Sequence, residues 1–190
     1  THDYILFFTN AGRVYWKKAY EIPQATRQAK GKAIQNLLAI SPEEQLASCI
    51  QVKEFSEDKY LIMATRDGVI KKTTLSAYSN PRASGIQAIT LRDKDQLIGC
   101  KVTDGNQEIF MATKHGKAIR FPEKQVRDMG RTASGVRGVD LEKKDEVIGL
   151  ELVDKRASIL TVMSRGYGKQ ASFEEYRIQS RGGKGVINVK

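Results

Sequence analysis

The chain has 190 residues and a mass of 21.2 kDa, enough for one domain with a sizeable core or for two small ones. With 40% apolar residues, 28% charged residues and 16 glycines against 4 prolines, the composition excludes a Pro-rich linker and favours many tight turns; no apolar run approaches the roughly 18 residues of a membrane span. Lysine and arginine total 32 against 22 acidic residues, a net charge of +10, which points to a polyanionic partner: nucleic acid, an anionic membrane face or an acidic protein.

In chain order, strands are predicted over 4–9 and 13–18, 34–38 and 46–53, 59–65 and 69–74, then 86–91 and 96–102. They continue over 108–113 and 117–121, 136–141 and 146–153, 158–163 and 167–172, and finally 186–190. Helical periodicity is confined to one turn near Phe173–Tyr176. Gly12, Gly68, Gly116 and Gly166 each separate two apolar runs, a hairpin signal that requires positive φ. A second glycine follows each by 17 to 19 residues, at Gly31, Gly85, Gly135 and Gly185. Ile50, Cys100 and Leu150 recur at a step of 50, as do Val52, Val102 and Leu152. Approximate repeats therefore run over 1–57, 58–106, 107–156 and 157–190. An all-β chain with a period of roughly 50 residues and about four strands per unit has the pattern of propeller blades; two packed sheets without radial symmetry are the alternative.

The register places the cysteines. Cys100 shares a slot with Ile50 and Leu150 and is expected in the core; Cys49 shares the slot of Gly99 and Gly149 on the other face. A disulfide or joint metal site is not expected, and a cytosolic setting is. The chain carries no signal peptide and starts at Thr1 in mid-pattern, so a segment of a longer protein is expected.

Catalytic signatures are missing. The histidines are His2 and His115, and the latter occupies a hairpin tip shared with Ala11, Asp67 and Arg165. The Gly-Lys pairs at 31–32, 116–117 and 168–169 are followed by Ala33, Ala118 and Gln170, not by the hydroxyl of a phosphate loop. Gly166-Tyr-Gly-Lys-Gln-Ala171 lies in a hairpin position, outside the βαβ context of a dinucleotide site. The chain is expected to be no enzyme by itself and to hold no cofactor or metal.

The surplus charge recurs in the loop before the second glycine: Arg27 and Lys30, Arg82, Arg131, then Arg181 and Lys184. A second set follows the hairpin glycine: Arg13, Lys17 and Lys18, then Lys71 and Lys72, Lys117 and Arg120, and Lys169. On successive blades these cations would form a stripe along the rim. Such a stripe suits duplex phosphates, whereas a single-strand platform needs exposed aromatics. Tyr20, Tyr78, Val126 and Tyr176 are read as one structural position. The last loop, Gln179-Ser-Arg181-Gly182-Gly183-Lys184-Gly185, puts three glycines beside two cations, so phosphates can approach the backbone.

That loop resembles the box Q-[RK]-R-G-G-[KR]-G of the C-terminal domain family of bacterial DNA gyrase A, with Ser180 in the usually basic second place. Thr1–Tyr15, Met129–Gly138 with its Arg137, and Gly166–Lys169 also resemble family segments. The resemblance implies a β-pinwheel: a propeller-like disc whose blades exchange strands and whose basic rim wraps double-stranded DNA with positive handedness. It implies a supporting role in ATP-dependent negative supercoiling, with ATP, Mg²⁺ and catalytic residues in other domains. The implied partners are the gyrase A catalytic core and gyrase B, in the bacterial cytoplasm at the nucleoid, without a membrane; the isolated chain is expected to be a monomer. Two departures stand out: the family's principal box lies in the first blade, upstream of the Thr1–Tyr15 segment, and the family disc usually has six blades where this chain supplies about four, incomplete at both ends. The equivalent domain of topoisomerase IV and a propeller that docks an acidic protein remain as alternatives.

Overall fold

The structure is a computed structural model that describes residues 2–189. Its strands are β1 (Tyr4–Thr9), β2 (Arg13–Lys18), β3 (Leu46–Val52), β4 (Tyr60–Thr65), β5 (Val69–Thr74), β6 (Ile86–Gln87) and β7 (Leu97–Thr103). They continue with β8 (Glu108–Thr113), β9 (Lys117–Pro122), β10 (Val136–Arg137), β11 (Val147–Leu152), β12 (Ser158–Val162), β13 (Gly168–Ser172) and β14 (Val186–Ile187). No helix among the described residues is long and apolar enough to cross a membrane.

All pairings between these strands are antiparallel, and the sheet orders are β3-β1-β2-β6, β7-β4-β5-β10, β11-β8-β9-β14 and the two-stranded β12-β13. The outer strand of each complete sheet comes from the next repeat. Val14 pairs with Ile86, Ile70 with Val136 and Ala118 with Val186. This exchange is what makes the fold a pinwheel, as the resemblance implies.

The exchanged strands are two residues long, shorter than the predicted 86–91, 136–141 and 186–190. Hydrogen bonding gives the reason. The N–H groups of Ala88 and Ile89 both donate to Gly12 O, those of Gly138 and Val139 to Gly68 O, and those of Asn188 and Val189 to Gly116 O. Two donors converging on one hairpin carbonyl end the ladder and turn the chain inward. Residues 1 and 190, the ends of the first and last predicted repeats, lie outside the described residues. The predicted strand 34–38 is replaced by a 3-10 turn over Ile34–Asn36, which joins no sheet among the described residues.

A 3-10 turn closes the second strand of every repeat, over Ala19–Glu21, Leu75–Tyr78, Glu123–Gln125 and Phe173–Glu175. Only the last was expected. In three of the repeats the residue ten after the hairpin glycine is buried: Tyr78, Val126 and Tyr176. In the first repeat that residue is half-buried Ile22, whereas Tyr20 is 64% exposed, so the predicted equivalence of Tyr20 is corrected by two positions.

The cores lie between sheets. Leu6, Phe8, Val14 and Trp16 of the first pack against Leu61, Met63, Tyr78 and Leu97 of the second repeat. Ile62 and Ile70 meet Met111, Ile119 and Phe121, and Phe110 meets Phe173 and Tyr176 edge-on at 5.5 and 4.9 Å. Burying each such side chain contributes about 1.5–3 kcal/mol. Cys100 is buried and Cys49 exposed, both free, as the register requires.

Candidate nucleic-acid interface

In the second, third and fourth repeats the segment after the 3-10 turn climbs the outer edge of the preceding sheet. Residues 127–135 run beside β5, with Met129 N donating to Lys72 O at 2.9 Å; residues 177–185 run beside β9, with Gln179 N donating to Arg120 O at 2.8 Å. Each climb ends on the second glycine. Gly85, Gly135 and Gly185 have φ of 70°, 90° and 74° and sit against Tyr15, Ile70 and Ala118. At Gly135 a Cβ would stand 2.7 Å from Ile70 O, so both the turn and the close approach call for glycine.

Successive rim segments touch. Thr90 donates through N to Ala133 O at 3.3 Å and through Oγ1 to Thr132 O at 2.5 Å. Gly182 N donates to Gly138 O at 2.7 Å, and Asp140 N to Gly183 O at 2.9 Å. The segments of the second, third and fourth repeats are thus hydrogen-bonded into one continuous edge.

Most of the predicted cations stand on that edge or near it. Arg82, Arg137 and Lys184 are exposed; Arg131 is half-buried. Arg137 faces Asp140 at 3.5 Å. Gln179, Gly182, Gly183 and Gly185 are half-buried along the same segment as Lys184. Arg181 donates through N to Gln125 Oε1 at 2.6 Å, through Nε to Gln125 O at 3.0 Å, and through Nη1 to Arg137 O. Lys117 pairs with Glu142 at 2.5 Å, and exposed Lys169 reaches Asn188 O at 3.4 Å. Arg27 and Lys30 lie in the exposed segment 23–33 of the first repeat, beside a cavity of about 810 Å³ lined by Pro23, Ala29, Gly31 and Leu37. Gly31 has nothing within 4 Å of an added Cβ.

Three expected DNA contacts are corrected. Lys71 is wholly buried, donating to Ala88 O at 2.6 Å and to Arg131 O. Lys72 is buried, pairs with Asp128 at 2.8 Å and stands 4.9 Å from the centre of the Tyr60 ring. Arg120 is buried, paired with Glu108 at 2.5 Å and bonded to Phe173 O and Tyr176 O at 2.7 and 3.3 Å. All three project from a strand covered by the next repeat, so their charge is spent inside the protein. Burial pushes the Lys71 ammonium down to about 7.

The exposed cations that sequence reasoning passes over include Lys32, Arg92, Lys124, Arg127 and Arg177. Arg127 and Arg177 carry a usable signal, since each stands eight residues before its second glycine. Among the described residues, no group of three or more His, Cys, Asp or Glu side chains is placed to hold a metal.

The family model for the DNA gyrase C-terminal domain, beta-propeller, matches residues 3–53, 59–104, 107–154 and 158–190. The DNA gyrase A protein of Clostridium acetobutylicum is 53% identical over 190 residues, and that of Mycolicibacterium smegmatis 42% over 192. Each alignment covers 100% of this chain and 23% of the relative, so the chain spans about a quarter of those proteins. Among solved structures, the C-terminal domain of DNA topoisomerase IV superposes with a TM-score of 0.90 at 31% identity, covering 98% of this chain and 58% of that one. A DNA gyrase A C-terminal domain superposes with a TM-score of 0.82 at 26% identity, covering 98% and 60%.

Proposed function

The chain belongs to the DNA gyrase C-terminal domain family, and from that premise we propose that it binds and bends duplex DNA along its rim through sequence-independent phosphate contacts. The observation that carries the reading is the hydrogen-bonded succession of rim segments, which sets Arg82, Arg131, Arg137, Arg181 and Lys184 along one edge. Arginine forks and glycine backbone at such an edge suit phosphate oxygens and read no base.

Smooth bending of a short duplex by 40–90° costs on the order of 1–6 kcal/mol. Counterion release on neutralising about six phosphates offsets that cost, and it predicts that log K falls with log salt at a slope of about −5. Within a whole gyrase A protein, the wrapped duplex would be presented to the catalytic core, acting with gyrase B, for ATP-dependent negative supercoiling. The chain would act as a monomer in the bacterial cytoplasm, at the nucleoid, with no cofactor of its own. The match to gyrase A proteins along the whole of this chain, at 53% and 42% identity, favours gyrase as the parent enzyme.

Ligation of nicked plasmid in the presence of the chain tests the reading. A shift in linking number toward positive writhe is expected. No shift at saturating protein would reduce the function to tethering, and no binding to random-sequence duplex at a salt where an acidic polypeptide binds would replace DNA by protein as the partner.

A further inference from the structure

A cation crosses each junction between consecutive sheets. Arg13 on β2 donates through Nη2 to Ser84 O at 2.5 Å and to Gly85 O at 3.4 Å. Arg120 on β9 donates to Phe173 O and Tyr176 O. Lys71 on β5 donates to Ala88 O and Arg131 O. Each donor sits on the second strand of its own repeat's hairpin, and each reaches at least one main-chain carbonyl of the next repeat.

Lys71 differs from the other two in what surrounds it. Its slot in the repeat is that of Tyr15 and Ile119, side chains that meet the core with apolar surface. The groups facing it are Tyr78, whose hydroxyl shares Ala88 O at 3.1 Å, the thiol of Cys100, and Arg131. Burial keeps the Tyr78 hydroxyl and the Cys100 thiol protonated, and no carboxylate lies within 4.0 Å of Lys71 among the described residues. A lysine there carries a desolvation cost that only its carbonyl bonds offset. Those carbonyls are informative: Ala88 follows the strand given to the first sheet, and Arg131 belongs to the rim segment of the third repeat. One amine of the second repeat therefore ties the end of the strand given to the first sheet to the rim segment of the third repeat.

We propose that Lys71 is a positioning residue of the rim, a clamp that holds the 128–135 segment, and with it Arg131, in line with the segments on either side. The consequence for DNA rests on the phosphate-track reading above; the clamp itself does not.

The test is Lys71→Met in the 190-residue chain, which keeps the volume and removes the donor. Removing a buried charge leaves the global unfolding midpoint unchanged or higher. Losing the clamp speeds hydrogen exchange at Met129 and Ala133 by about tenfold or more, while Gln179 and Gly182 keep their rates. Unchanged exchange at Met129 and Ala133 would overturn the proposal. So would uniform acceleration in every sheet, the mark of a weakened core.

On nicked plasmid, the variant should lose about half or more of the linking-number shift while binding a duplex of one helical turn within about twofold of wild type. A loss of short-duplex affinity as large as the loss of wrapping would make Lys71 a contact and overturn the positioning role. A wild-type chain that never wraps DNA would sink the track reading and leave the exchange result to decide the clamp.

Discussion

Arg181 crosses the boundary between the last two repeats to Arg137, donating from Nη1 to the Arg137 carbonyl while Nε holds Gln125 O at 3.0 Å. An arginine placed by its box as a phosphate contact thus has two of its donor positions turned inward. Its charge stays at the rim, and its geometry fixes the 179–185 segment against the third repeat. Lys184, four residues before the buried Asn188, is exposed and makes no such tie among the described residues.

The two residues should therefore fail differently. Lys184→Ala removes one phosphate charge and should reduce the magnitude of the salt slope by up to about 0.9. Arg181→Ala removes charge and scaffold together, so it should weaken DNA binding more than Lys184→Ala and also speed hydrogen exchange at Gly182. Fluorescence anisotropy over a salt series with two unrelated duplex sequences checks both. A loss confined to one sequence would contradict backbone recognition.

The second glycines give a stability contrast. Gly135 and Gly31 both hold positive φ, 90° and 74°, but only Gly135 is pressed against its neighbours, with Ile70 O and a Val69 methyl 2.7 Å from an added Cβ. Gly31→Ala should cost about 1–2 kcal/mol, for the left-handed backbone alone. Gly135→Ala adds a steric term of about 1–3 kcal/mol. Urea unfolding of the two variants measures the difference, and equal costs would mean that the rim segment is not seated on β5.

The strand core and the glycine turns are legible from the sequence because they follow local rules: alternation on a half-buried strand, and positive φ at Gly12, Gly68, Gly116 and Gly166. The exchange of β6, β10 and β14 comes through the resemblance alone, since two-residue strands carry no periodicity. At the three buried cations residue type misleads, and register is the better guide. Lys71 stands in the slot of Tyr15 and Ile119, and Arg120 in that of Trp16; those neighbours are the available signal. Tyr20 misleads in a related way: its residue type matches Tyr78 and Tyr176, while the count from the hairpin glycine points to Ile22.

Lys71 also sets a pH dependence whose sign follows from linkage. Burial pushes its ammonium down to about 7 from 10.5, and the neighbouring Arg131 charge reinforces the shift. The unfolded chain holds this proton up to about pH 10.5 and the folded chain releases it near 7, so between those values the unfolded state binds more protons. The contribution of Lys71 to stability is at its least favourable below about pH 7 and rises with pH through that window. The neutral amine still carries two N–H groups, enough for Ala88 O and Arg131 O. The unfolding free energy of wild type minus that of Lys71→Met should accordingly increase from neutral to alkaline pH. A flat or falling difference would refute a depressed Lys71.

Carboxylates on the rim supply the converse test. Asp140 lies 3.5 Å from Arg137, whose side chain is 70% exposed, so the pair sits in water and holds little energy of its own. Its effect is on the field: the carboxylate cancels one guanidinium beside the segment that Gly182 and Gly183 join. Asp140→Asn keeps the backbone N–H that donates to Gly183 O and deletes only the charge. Stability should change by less than about 1 kcal/mol, because surface pairs of this kind contribute little. Binding to long duplex at low salt should tighten, and the salt slope should steepen by up to about 0.9 as Arg137 becomes free to displace one more counterion. The gain should vanish at high ionic strength, where screening acts over a few ångströms. If Asp140→Asn leaves DNA affinity unchanged across the whole salt series, Arg137 lies off the path of the DNA and the track must run over Arg131 and Lys184 without it.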